Sequence, residues 1–203
     1  MDILIWAILI AVGGYFLKSR DESRRIALLG SYLGKYEIEK LMESLTHGTM
    51  RALGESDPAR QEQVWNLLDP SGLRLSEQFN SFVAEFAKVD AADARVSTLR
   101  LPIPIPYAAK LFPQATFDVR KVLAVHASGI ANAAKNSLNR SPKDKAFTLM
   151  AELFLMQHTC HWYCKSKTVA SARLLVRHQT AYALVLDSVA PDTRRAYLAL
   201  TQK

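Results

Sequence analysis

Fifteen consecutive residues, Ile3 to Leu17, read ILIWAILIAVGGYFL and carry no charge. A helix so apolar has three destinations: a bilayer, a protein core, or removal as a signal peptide. At 1.5 Å per residue it covers roughly 22 Å, short of the ~30 Å hydrocarbon layer. Lys18 can lengthen the effective span by snorkelling its amine towards water. Trp6 and Tyr15 stand near opposite ends, as interfacial aromatics do. A signal peptide puts positive charge ahead of its apolar run, whereas here Asp2 stands there, although Ala11-Val12-Gly13 resembles a small-x-small cleavage site. The run is expected to be one membrane-spanning helix, with residues 1–20 an N-terminal anchor and 21–203 a helical domain.

Lys18, Arg20, Arg24 and Arg25 follow the run, diluted by Asp21 and Glu22. Lys and Arg near a span set its orientation and acids count little, so the body is expected in the cytoplasm and the short N-terminal tail outside. Cysteine usage agrees. Only Cys160 and Cys164 occur, four residues apart, where an extracellular scaffold would use more to bridge distant segments. A single-pass protein of a bacterial inner membrane is the expected setting.

The formal net charge of +7 favours anionic partners, and lipid headgroups suit a chain already bound for a membrane. No run of five or more Lys/Arg occurs, so nucleic acid is not expected.

Beyond the anchor the patterning is helical. Ile38, Leu41, Met42, Leu45 and Leu53 fall at helical spacing, with Gly54 as the stop. Asp57-Pro58 caps a short helix carrying Val64, Trp65, Leu67 and Leu68, and Asp69-Pro70-Ser71-Gly72 reads as the turn that closes it. Leu75, Phe79, Phe82, Val83, Phe86 and Val89 form the most regular stripe. Helical pattern resumes near Thr116, then after a loop at 136–140 from Ser141-Pro142, then from Val169 to Val189, and last from Thr193. Between them LRLPIPIPYAAKLFP, residues 99–113, reads as an extended connector. The expected fold is all-α: an irregular bundle of about six or seven helices behind the transmembrane helix.

Two segments are candidate sites. Cys160, His161 and Cys164 share one helical face within one turn and offer thiolate and imidazole ligands to zinc or copper. Structural zinc takes four ligands, so His126 or His178 would have to complete the set; packing of two buried thiols is the competing expectation, with no cofactor. In the proline segment, Ile103, Ile105 and Tyr107 alternate with Pro102, Pro104 and Pro106 and form a candidate protein-docking strap, unless the bundle buries them. His126 lies on an apolar stripe, where a hydrogen-bonded core histidine is the usual case. Acidic residues are read as lying on the polar sides of the helices.

No His-Glu-x-x-His, Gly-x-Ser-x-Gly or Gly-x-Gly-x-x-Gly motif is present. The expected function is that of a membrane-anchored interaction protein, an adaptor or complex subunit. The alternatives are a metal- or redox-responsive protein built on Cys160, His161 and Cys164, or an enzyme acting on a membrane-associated substrate.

Overall fold

The computed structural model describes residues 2–99 and 105–202. It is an all-α chain, with nine α-helices and one small hairpin of strands among the described residues. Four helix starts are set by side chains the sequence advertises. Asp57 accepts from the Ala59 amide ahead of α3 (Pro58–Phe86), Asp118 from Arg120 ahead of α5 (Val119–Ala134), Ser141 from Asp144 ahead of α6 (Pro142–Cys164), and Ser166 from Val169 ahead of α7 (Lys167–His178).

Helix α1 runs from Asp2–Leu33, and α2 from Ile38–Gly54. Helix α3, Pro58–Phe86, corrects the sequence reading, because it passes straight through the supposed turn at Pro70. A proline inside a helix costs about 3 kcal/mol. The apolar face beyond it outweighs that cost, since Leu75, Phe79, Phe82 and Phe86 are all fully buried and each contributes roughly 1.5–3 kcal/mol. Gly72 lies close against α6 in this continuous helix, where an added Cβ would sit 3.2 Å from Leu149 Cδ2.

The 99–113 connector is likewise not extended throughout. Residues Ile105–Leu111 form α4, and Pro113–Ala115 a 3₁₀ turn. Pro106 is the second residue of α4, a position whose amide has no intrahelical partner, so the proline is compatible with helix there. Flanking this segment are two three-residue strands, β1 (Arg95–Ser97) and β2 (Thr116–Asp118), paired antiparallel with Val96 opposite Phe117. They are too short to leave an alternating signature.

Helices α5 (Val119–Ala134) and α6 (Pro142–Cys164) form the centre of the body. Fourteen of the twenty-three α6 residues are buried, so neighbours surround this helix on most sides. The single helix expected over 169–189 is two, α7 (Lys167–His178) and α8 (Tyr182–Ser188). Gln179 separates them in the left-handed conformation, φ 50°, with its amide bonded back to Leu175. Helix α9, Pro191–Thr201, returns onto α5 and buries Tyr197.

Aromatic rings tie α1, α3 and α6 together. Phe86 meets Tyr32 edge-on at 5.3 Å and Tyr163 edge-on at 6.0 Å, while Phe82 lies 5.5 Å away. Such pairs add roughly 0.5–1.5 kcal/mol each beyond burial.

Candidate functional site

Helix α1 has two halves of opposite character. Successive side chains step 100° around a helix, and residues 5–13 are all exposed, so every side of the N-terminal half is open; Ile5, Ile8, Leu9 and Ile10 are among them. All four are more than half exposed, and Ile10 reaches 73%. Ile3, Trp6, Tyr15 and Phe16 are exposed as well. The result is an arm that is apolar around its whole circumference and covered by nothing in the fold. This rules out the core as the destination of the run. Among the described residues, no helix is long and apolar enough to cross a membrane; charge begins at Lys18.

From Arg25 onwards the same helix is docked. Arg25 and Leu29 are buried, and Leu28, Tyr32 and Leu33 pack on the core. Arg25 Nε donates to Asp21 at 3.1 Å and Nη1 to the Tyr163 carbonyl at 3.2 Å, with the guanidinium 5.1 Å above the Tyr163 ring. Burial pushes the Tyr163 phenol up to about 12, partly opposed by Arg25. Arg24 pairs with Asp93 at 2.8 Å, and Lys35 with Glu85 at 2.7 Å. Helix α1 therefore leaves the body in one direction, fixed by a buried arginine.

At the root of the arm an open cleft of about 730 Å³ lies between α1, β1 and the α6–α7 turn. Lys18, Asp21, Glu22 and Arg25 line one wall, and Trp162, Lys165, Ser166, Lys167 and Thr168 the other. Glu22 is shared by Lys18 at 3.5 Å and Lys165 at 3.8 Å. Lys167 sits 5.0 Å over the Trp162 ring and 4.8 Å over that of Tyr182. Trp162 is held in place by its indole N–H donating to Ser97 O at 3.0 Å and by Phe117 packed edge-on at 4.9 Å.

The expected Cys/His cluster is on α6. Cys160 and Cys164 are free and buried, and burial raises both thiols, Cys164 to about 11. The Cys160 thiol points to Met156 Sδ at 3.8 Å. His161 Nδ1 accepts from Arg173 at 3.1 Å, and burial pulls its ring down to about 4. The two histidines considered as a fourth ligand are engaged elsewhere: His126 with Thr159 at 2.8 Å, His178 with Gln157 at 2.7 Å. Among the described residues, no group of three or more His, Cys, Asp or Glu is placed to hold a metal ion.

Of the docking-strap residues, Ile103 lies outside the described residues. Ile105 is half-buried and lines the cleft, whereas Tyr107 is exposed together with Leu111 one turn later.

A buried polar layer around α6 went unread in the sequence. Glu152, His158 and Thr159 have no exposed surface. Glu152 Oε1 accepts from the Ala190 amide at 3.0 Å, where α9 begins. His158 Nε2 meets Ser171 Oγ at 3.0 Å, and its ring stacks on Tyr182 at 4.4 Å. Burial pulls both His126 and His158 down to about 3 and pushes Glu152 up to about 7. The signal for Glu152 was its place inside the apolar run LMAELFLM, where no polar side of a helix exists.

No family model, curated protein or solved structure matches the chain.

Proposed function

We propose that this chain is a membrane-anchored helical protein whose body serves as an adaptor or subunit at the membrane face. The observation that carries the reading is the arm. Residues 5–13 are exposed on all sides of the helix, and apolar surface left in water costs about 25 cal/mol per Å². A bilayer covers a helix from every side, which a groove on a partner does not. The arm fills roughly 22 Å of it, and the Lys18 amine supplies the remaining reach by snorkelling. Helix α4 carries Tyr107 and Leu111 outwards close to the same root, since its Ile105 shares the cleft wall with Lys18.

The body supports binding more than chemistry. His126 and His158 are each bonded to a neighbouring hydroxyl and held neutral by burial, and burial holds both thiols protonated. The test is a full-length Ile8→Asp, Ile10→Asp variant. Two charges at the middle of the arm cost roughly 2.5–3.5 kcal/mol each in a bilayer and nothing in the docked half. Wild type should float with phosphatidylcholine vesicles, and the variant should stay in the dense fraction with an unchanged melting temperature. Wild-type protein that stays soluble and fails to float removes the anchor.

A further inference from the structure

We propose that the cleft at the root of α1 binds the phosphate of a glycerophospholipid headgroup, set between Lys18 and Lys165; the proposal rests on the arm being in a bilayer. Depth is the first argument. If residues 3–17 occupy the hydrocarbon layer, Lys18 begins the headgroup zone. That zone is roughly 5–8 Å deep on each side, and Lys18 to Arg25 spans roughly 10 Å of helix. The part of the cleft wall from Lys18 to Glu22, roughly 6 Å of helix, therefore opens at headgroup level.

Charge is the second argument. Two ammonium groups share the single Glu22 carboxylate, at 3.5 and 3.8 Å, longer than the 2.7–2.9 Å of a tight charge-assisted bond. Each ammonium has three donors, so both keep capacity for another acceptor. Both side chains are also about one-third exposed, 36% each, and so reachable from the cleft. The opposite wall adds the start of α7. Ser166 caps the Val169 amide there, and the positive end of the α7 dipole lies beside the same space. Glu22 gives the site a preference within its class, because it can hold an amine on the same headgroup that the lysines hold by phosphate.

Tryptophan reports on each region separately. Trp6 is in the arm, Trp65 in α3, and Trp162 lines the cleft. Full-length protein labelled with nitrogen-15 at its tryptophan indoles, in an uncharged detergent, is titrated with dihexanoyl phosphatidylethanolamine below its micelle concentration. The Trp162 signal should move and saturate while Trp65 stays fixed. A Lys165→Gln variant, which leaves Lys18 to the arm, should bind about tenfold more weakly or worse, a loss of roughly 1.4 kcal/mol. It should still float with vesicles, because its arm is intact. Wild type that floats with no Trp162 shift overturns the headgroup site and leaves the anchor standing; wild type that does not float removes the anchor itself. Inorganic phosphate that moves Trp162 at the same concentrations would make the ligand a soluble phosphate and overturn the lipid assignment.

Discussion

Glu152 carries the largest single consequence at the scale of one residue. Its carboxyl is fully buried on α6, accepts the amide of Ala190 at the start of α9, and lies against Gly129 so closely that no side chain fits there. Burial raises it to about 7 against an ordinary 4.5, with the Ala190 amide and Thr193 hydroxyl pulling the other way. Between those two values the folded protein keeps a proton that the unfolded chain has released. The Glu152 contribution is thus greatest below pH 4.5 and is lost as pH rises towards 7, by roughly 3 kcal/mol. The histidines act in the opposite sense. His126 and His158 titrate near 3 in the fold and near 6.5 outside it, so they add stability as pH rises between those values. A Glu152→Gln variant isolates the first effect. Urea unfolding of both proteins at closely spaced pH should show wild type losing ground to the variant between pH 4.5 and 7 and not beyond. A difference that stays level across that range would mean that Glu152 is ionised in the fold. His126 was legible in the sequence as a core histidine because it sits on a stripe. The contact that Glu152 makes was not, because Ala190 is thirty-eight residues away.

Among the elements, α2, α5, α6 and α9 begin or end within a few residues of where caps and prolines place them. Local chemistry decides those boundaries. It fails where packing competes with it. Asp69-Pro70-Ser71-Gly72 has the composition of a turn, yet the four buried side chains beyond it and the Asp69–Lys145 pair at 2.7 Å hold the helix on its course. Gln179 turns left-handed with no glycine to announce it, so the break between α7 and α8 was invisible. Helix α4 was hidden by prolines that lie in or before its first turn. The continuity of α3 has a direct test. Pro70 is exposed, so Pro70→Ala removes no packing, restores an amide donor to the helix ladder and relieves the ring's clash with the preceding turn. The melting curve should shift to greater stability by about 1–2 kcal/mol, the helical gain being partly offset by a freer unfolded chain. A loss of stability instead would mean that the packing of α3 on α6 depends on the local bend a proline imposes.

The molecule as a whole is a bundle with a helical handle docked at its base. One helix of thirty-two residues is apolar and bare at one end and bound into the core at the other. The existence of that handle was legible, since a fifteen-residue run without charge cannot be mistaken for a surface helix. Its docking on the body was not, because Arg25 reaches Tyr163 across 138 positions of sequence. Because the handle is docked on the body, the two share one orientation. Lys18, Arg20, Arg24 and Arg25 all lie on the body side of the run, and if the run is in a bilayer that is negative inside, each resists transfer across it. The body is expected on the cytoplasmic side, where its two free thiols would also remain reduced. Two full-length fusions in a bacterial host test this. A C-terminal fluorescent protein that matures only in the cytoplasm should be bright at the membrane, and a C-terminal phosphatase that needs periplasmic disulfides should be inactive. Replacing Lys18, Arg20 and Arg24 with Gln should weaken the bias and give a mixed population; Arg25 is left in place because its guanidinium holds the arm to the body. An active phosphatase on the unaltered chain would place the body outside and reverse the orientation while leaving the anchor intact.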